Sequence, residues 1–237
     1  MCQGYDAVVN RDFSVIGRAL AAPARSAFVN VLMDGSSRPA SELAAWARVN
    51  ASTASEHLSV LMDAGLITCS ARGRQRFYQL ADASVASALE QLGHLCPPIP
   101  TVGLRQSTQA RALMAARLCY DHLAGRLGVA VTDSMLADGW LDRASFAPTA
   151  RGARRLSALG IDLGQLQAGR RTLARGCPDW TERKPHLAGA LGASLATLFL
   201  ERNWVTRKAS SRGLNVTPDG CRTLADIWNV DTEELAA

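Results

Sequence analysis

Apolar residues fall at helical spacing in three successive runs near the start of the chain. Phe28, Val29 and Leu32 share one face of a segment from Ala24 to Met33, which the polar stretch Asp34-Gly35-Ser36-Ser37 ends. After Pro39 a second run places Leu43, Ala44 and Ala47 on one face and gives way to a tight turn at Arg48-Val49-Asn50-Ala51. A third helix is expected to open at Ser52 and Thr53, where Thr53-Ala54-Ser55-Glu56 has the form of a capping box; its apolar stripe is Ala54, Leu58, Leu61 and Met62, and Gly65 stops it. The pattern then changes. Leu66-Ile67-Thr68 and Arg76-Phe77-Tyr78-Gln79-Leu80 read as two short strands joined by the polar turn Ser70 to Gln75. Cys96-Pro97-Pro98-Ile99-Pro100 breaks any helix running through it and places a domain boundary near residue 100.

Helix, turn, helix and basic hairpin, in that order, make a winged helix-turn-helix, and the side chains at its reading positions suit DNA. Ser52, Thr53, Ser55, Glu56, His57 and Ser59 lie on the second helix of the pair, where short polar groups reach base edges in the major groove. Arg72, Arg74 and Arg76 lie in and beside the hairpin turn, suited to phosphate or minor-groove contact. Each has a plainer use when taken singly. Thr53, Ser55 and Glu56 can serve the helix cap, His57 can pack against the preceding helix, and three arginines in a turn can be a solvated loop. The set as a whole, on a helix pair, points to double-stranded operator DNA.

Charge bears on this only through its placement. The 237 residues carry 26 Lys or Arg against 21 Asp or Glu, a formal +5. Residues 1 to 99 hold eight Arg and eight acids, so the basic excess belongs to the second half, with 18 against 13. At 48% hydrophobic residues the chain can bury a real core. The longest uncharged stretch, Leu187 to Leu200, is shorter than the roughly 20 apolar residues a bilayer span needs. Asp6, Arg11 and Asp12 interrupt any N-terminal signal, so a cytoplasmic protein without a membrane partner is expected. Six cysteines, Cys2, Cys69, Cys96, Cys119, Cys177 and Cys221, are too widely scattered for a disulfide scaffold and are expected as free thiols.

The stretch from Pro23-Ala24-Arg25 through Ser52-Thr53-Ala54-Ser55-Glu56-His57-Leu58 and Asp63-Ala64-Gly65-Leu66-Ile67 to Arg72-Gly73-Arg74-Gln75-Arg76-Phe77-Tyr78 resembles the ArsR/SmtB-type family of bacterial regulators. The resemblance implies a homodimer, with contacts from the helix before Pro23 and from a helix after the wing, Ala83 to Leu95, and a repressor released by an inducer. Metal-sensing members often carry Cys in the helix before the recognition helix. Here that helix, Ser41 to Arg48, has none, and the last dimer helix offers only Glu90 and His94, so the metal sites usual in the family are not expected.

The second half reads as an internal duplication. His122-Leu123-Ala124-Gly125-Arg126-Leu127-Gly128 matches His186-Leu187-Ala188-Gly189-Ala190-Leu191-Gly192, and the match runs to Trp140 and Trp204. After a small insertion Thr149, Gly152, Arg154 and Leu156 pair with Thr217, Gly220, Arg222 and Leu224. Each unit reads as a helix rich in small residues, an apolar segment ending in Trp, a polar loop and another helix. Small residues beside each His suit tight packing. The competing use is a sensor: Cys119 and His122, taken as i and i+3 on one helical face, with Cys177, Trp180 and His186. Thiolate and imidazole suit zinc or another thiophilic metal ion, and paired thiols suit a redox response, though the spacing matches no standard zinc signature. Trp140 and Trp204 read as core anchors or, with Trp180, as the lining of an apolar effector pocket. The Cys-Tyr-Asp-His-Leu-Ala-Gly and Cys-x-Asp-Trp phrases are similar to the C-terminal extension of a long subgroup of the same family.

The fold class expected is mainly α with short β hairpins: a winged helix-turn-helix for DNA binding and dimerisation over residues 1–99, and a duplicated α+β effector domain over 100–237. The function expected is a sequence-specific, homodimeric transcriptional regulator, a repressor, with a small-molecule, thiol or metal effector. A thiol enzyme using Cys119 and His122 is the alternative, but no phosphate loop, nucleophile elbow or metalloprotease motif accompanies that pair, and no catalytic residue is expected. A dimeric interaction module that has lost DNA binding is the other.

Overall fold

The three helical runs form helices and the alternating pair forms a hairpin, each with shifted ends. The computed structural model describes residues 11–93, 95–97, 104–208 and 212–233; Cys2, Asp6, His94 and the Pro98 to Pro100 part of the expected boundary lie outside them. Two compact units emerge, one holding the described residues up to Asn30 with Ser37–Asp82, the other Val31–Ser36 with those from Ala83 onward.

The first unit runs α1 (Ser14–Leu20), α2 (Pro23–Leu32), β1 (Arg38–Pro39), α3 (Ala40–Ala47), α4 (Ala51–Asp63), β2 (Ile67–Arg72) and β3 (Gln75–Leu80). Strands β1 and β2 flank β3, both antiparallel to it. Phe28, Leu43, Ala54, Leu58, Leu61, Ile67, Tyr78 and Leu80 are buried, so the apolar stripes are the core faces. Two boundaries differ from expectation. Helix α4 is capped by Asn50, not by Thr53: in extended geometry (φ −74°, ψ 167°) its side chain accepts the Thr53 N–H at 2.8 Å. Asn caps as well as Ser or Thr, and left-handed Arg48 reverses the chain just ahead of it. The wing is also longer than its alternation suggested. Ser70, Ala71 and Arg72 pair with Phe77, Arg76 and Gln75, leaving only Gly73 and Arg74 in the turn. These pairs are held by backbone hydrogen bonds between mostly exposed residues, which leave no hydrophobic period in the sequence.

The second unit contains α5 (Ala83–Gly93), α6 (Leu104–Ala115), β4 (Arg117–Cys119), β5 (His122–Ala124), α7 (Gly125–Ala137), α8 (Ala150–Ala158), α9 (Leu163–Ala168), β6 (Arg175–Pro178), β7 (Pro185–Ala188), α10 (Gly189–Glu201), β8 (Val205–Arg207), β9 (Leu214–Val216) and α11 (Pro218–Trp228). Its described residues are mainly helical, with three two-stranded antiparallel hairpins among them, β4–β5, β6–β7 and β8–β9. The repeated His-Leu-Ala-Gly phrases are strands leading into helices, not helix interiors. Cys119 and His122 are therefore cross-strand partners and not neighbours on a helical face. Tyr120 at φ 60° turns the chain between them, and Leu118, Cys119, Leu123 and Ala124 are all buried, so no period betrayed a strand.

A single core joins α7, α8, α10 and α11 through Leu127, Met135, Trp140, Leu156, Leu191, Phe199, Trp204, Leu224 and Trp228. The Trp140 and Trp228 rings lie 6.2 Å apart and Phe199 meets Trp204 edge-on at 5.2 Å. Trp140 and Trp204 are thus core anchors; Trp180, 39% exposed, stands apart from them. Thr149 and Thr217 cap α8 and α11, and the third residue after each cap is a glycine pressed against backbone. A Cβ at Gly152 would overlap the Trp140 carbonyl, and one at Gly220 the Trp204 carbonyl. Gly152→Ala and Gly220→Ala are each expected to destabilise the unit by about 3 kcal/mol, read as a lowered midpoint in thermal unfolding, because a backbone carbonyl cannot swing aside as a side chain can. An unchanged midpoint would show that this contact is slack.

Candidate functional site

Helix α4 buries Ala54, Leu58 and Leu61 and leaves Ser52, Ser55, Glu56 and Ser59 exposed on its other side. Those four positions recur at helical spacing, so they form one polar strip of short side chains. Thr53 is half-buried, and Ser52 also donates to Asn50 Oδ1 at 2.7 Å. His57 turns inward: its Nδ1 lies 3.1 Å from Arg25 Nη1 on α2, and its ring meets Phe28 edge-on at 6.4 Å. These contacts are with α2, and not with α3, the preceding helix against which the sequence suggested that His57 could pack. Arg72, Arg74 and Arg76 are all exposed, and the Arg72 guanidinium stacks 4.8 Å over the Phe77 ring, which holds it at the hairpin rather than free in solvent.

In the second unit Cys119, His122, Cys177 and His186 come together, all buried, with their donor atoms within 4.8 Å of one another. Each hairpin contributes one cross-strand pair: Cys119 opposite His122 on β4–β5, and Cys177 opposite His186 on β6–β7. Directly opposed residues project to the same face of a hairpin, which is how two short ribbons deliver four side chains to one point. The imidazole rings are 5.0 Å apart. Packing is exchanged between the halves, since α7 lies on β7 and α10 on β5. A Cβ on Gly128 of α7 would stand 3.5 Å from the His186 Cβ, and one on Gly192 of α10 3.3 Å from the His122 Cβ. Small residues near each His serve tight packing, as the sequence suggested, and that packing is what brings the two histidines together.

Charged partners surround the cluster. His122 Nδ1 lies 3.3 Å from Asp121 Oδ1, and His186 Nδ1 is 3.1 Å from Asp179 Oδ2, close enough for an ion pair but off the line of a formal hydrogen bond. Asp121 is held by Arg171 at 2.6 Å. Asp179, fully buried, accepts from Arg117 Nη2, the Gly125 N–H and Thr181 Oγ1, each at 2.7 Å. Burial pushes the Asp179 carboxyl up, but His186, Arg117, Thr181 and Gly125 together hold it well below the usual carboxylate range. Cys177 is drawn far below a normal thiol, first by the hydrogen bond from Cys119 and then by both histidines, against the effect of burial. Cys119 is pushed up by that same bond, by burial and by the neighbouring Glu90 carboxylate. His186 is raised: burial opposes its charge, and Asp179 and Cys177 override it.

Sequence reading found the four cluster residues but missed the groups that hold them: Asp121, Asp179, Arg117, Arg171 and Glu90. A signal for three of them was present, for Arg117-Leu118-Cys119-Tyr120-Asp121 and Arg175-Gly176-Cys177-Pro178-Asp179 share the phrase Arg-x-Cys-x-Asp. Trp180 is not part of the cluster; it covers the Arg117 guanidinium at 5.0 Å. Glu90, buried on α5, pairs with Arg212 at 3.2 Å. Cys177, His186 and Asp179 also have the order of nucleophile, base and orienting acid. All three are buried, at 1%, 0% and 0% exposure, which disfavours attack of the sulfur on a substrate carbonyl.

Residues 22–68 match the arsR family of bacterial regulatory proteins. Over 214 residues, 90% of this chain and 95% of the other, the sequence is 41% identical to the Bacillus subtilis (strain 168) protein named "Uncharacterized HTH-type transcriptional regulator YdfF". It is 43% identical over 77 residues, 32% of this chain and 64% of the other, to the HTH-type transcriptional regulator CmtR of Mycobacterium tuberculosis. Among solved structures, the cadmium metal-sensor CmtR from Mycobacterium tuberculosis covers 38% of this chain and 97% of its own at 37% identity and a TM-score of 0.30. HlyU from Vibrio cholerae N16961 covers 35% of this chain and 88% of its own at 27% identity and a TM-score of 0.32. The similarity to YdfF takes in both the winged helix-turn-helix and the Cys/His hairpins, and the chain belongs to the arsR family of bacterial regulatory proteins, transcriptional regulators that bind DNA through a winged helix-turn-helix.

Proposed function

We propose that this regulator is a homodimeric, operator-specific repressor. Its DNA-contact set is Ser52, Thr53, Ser55, Glu56 and Ser59 on α4 with Arg72, Arg74 and Arg76 on the wing, while His57 positions α4 against α2. The observation that carries this reading is the exposure together of the polar strip of α4 and all three wing arginines, none of which the first unit needs for its core. DNA binding and dimerisation belong to residues 1–99. Residues 100–237 form an internally duplicated effector domain, supported by the repeated order of hairpin and helix and by glycines that press on matching tryptophan carbonyls. The effector acts at Cys119, His122, Cys177 and His186. Glu90 connects that cluster to α5, the helix the family resemblance assigns to dimer contact. A thiol enzyme is disfavoured by the burial of every candidate nucleophile in the cluster.

The test is selection of bound duplexes from random DNA by the full chain, with the molecular mass of the complex measured in solution. Two chains on a site with inverted half-sites are expected. A monomer that enriches no sequence would overturn the proposal.

A further inference from the structure

We infer that Cys119, His122, Cys177 and His186 make up one tetrahedral site for a zinc-class divalent cation, bound through two sulfurs and the Nε2 atoms of two imidazoles. Such an ion gives a chemical class to the effector proposed above. Its regulatory meaning rests on that reading, whereas the site itself rests on geometry alone.

The donors are paired. Nε2 of both His122 and His186 is buried without a hydrogen-bond partner of accepted geometry, and both rings lie against the Cys177 sulfur. Buried imidazole nitrogens are costly to leave unmatched, and two in one place, beside two sulfurs, are matched at once by a cation. The outer partners are paired as well. Each ring presents Nδ1 to a carboxylate, His122 to Asp121 and His186 to Asp179, and each carboxylate is itself anchored by an arginine, Arg171 or Arg117. A metal-ligating histidine characteristically does this, because the carboxylate fixes the ring and leaves Nε2 as the donor to the ion. A packing-only cluster has no use for the arrangement twice.

Ligand chemistry narrows the ion. Two thiolates and two imidazoles are a soft, four-donor set that favours zinc, cadmium or cobalt(II) over magnesium or calcium, and two thiolates cancel the charge of one dication inside a protein. Coordination requires both sulfurs as thiolates, so uptake releases to solvent any thiol proton the pair holds. The four ligands need no rearrangement of secondary structure, since both hairpins already present them. A narrow cavity of about 20 Å³, lined by Glu90, Asp121, Arg171 and both cysteines, reaches the cluster and has room for one water-sized species.

The experiment is a titration of the reduced full-length protein with cobalt(II) chloride under anaerobic conditions, read by absorption. One equivalent per chain is expected, with thiolate-to-cobalt charge-transfer bands and the intense visible bands of four-coordinate cobalt, both removed by one equivalent of zinc. Cys119→Ser/Cys177→Ser is expected to lose the thiolate signature, and Cys221→Ser to leave it intact. Asp121→Asn, at a partly exposed position, is expected to keep the spectrum while weakening affinity roughly 10- to 100-fold, a graded loss that misfolding would not give. A wild-type protein without the charge-transfer bands overturns the inference, as does six-coordinate cobalt or a signature that survives removal of both Cys119 and Cys177. Operator binding is measured in parallel with and without zinc. An ion bound with no change in operator affinity supports the site and removes its sensing role; operator binding without any ion removes the site and leaves the regulator.

Discussion

Replacing Arg72 and Arg74 together by Ala is expected to weaken binding to every DNA sequence by a similar factor, on the order of 10- to 100-fold, since each charge-assisted hydrogen bond is worth about 1.5–3 kcal/mol before rearrangement. The slope of log affinity against log salt should fall by about 0.9 for every phosphate that the variant no longer neutralises. Arg74 lies in the two-residue wing turn and Arg72 at the strand end beside it, both are exposed, and the Arg72 contact with Phe77 is at the surface, so the variant should fold as the parent does. Ser59→Ala serves as the contrasting variant: a base-reading position changes preference among sequences and leaves the salt slope alone. The measurement is a competition titration on the selected operator and on random duplex at several salt concentrations. An Arg72→Ala/Arg74→Ala protein with the parent's slope would mean that the wing does not touch DNA.

Arg117→Met is expected to destabilise the second unit by about 3–5 kcal/mol, because it leaves Asp179 charged and buried with its guanidinium gone. Both partners are sealed, Arg117 at 1% and Asp179 at 0% exposure, and solvent cannot take over the missing charge. The double variant Arg117→Met/Asp179→Asn should recover part of that loss, since neither residue then carries a charge. Denaturant unfolding followed by tryptophan fluorescence is the measurement, with Trp140, Trp204 and Trp228 in the core as reporters. A double variant no more stable than the single one would show that Asp179 matters through Gly125 and Thr181 and not through Arg117.

The first unit was largely legible in the sequence because each of its helices is amphipathic, with Phe28, Leu43, Leu58 and Leu61 at the periods that one-sided burial imposes. What escaped was local: the cap at Asn50, where three good capping residues stand close together, and the outer half of the wing, which is held by backbone pairing of exposed residues. In the second unit the reason is different. Arg117 to Cys119 and His122 to Ala124 are buried on every side, and a segment with no exposed face has no period to read. Cys119 and His122 could be named as a pair, but their geometry depended on the turn at Tyr120. The meeting with Cys177 and His186 depended on packing between segments more than fifty residues apart, which no local pattern records. Asp179 was hidden for a further reason, since an acid beside Trp180 in a polar loop reads as solvated until Arg117 is found next to it.

The exchange of partners between the two hairpins also sets an order on synthesis. Helix α7 rests more on β7 than on its own β5, and α10 more on β5 than on its own β7, so each half covers only part of its own apolar face. While a ribosome is still making the segment after Ala168, Leu127 and Met135 of α7 have emerged with only part of their packing in place, and the rest waits for β7 and α10. The pairing closes loops of more than fifty residues, a separation that slows folding and lengthens the time an apolar surface is open to other chains. A chain cut between α9 and β6 is therefore expected to leave the outer face of α7 uncovered and to be less stable than the whole unit.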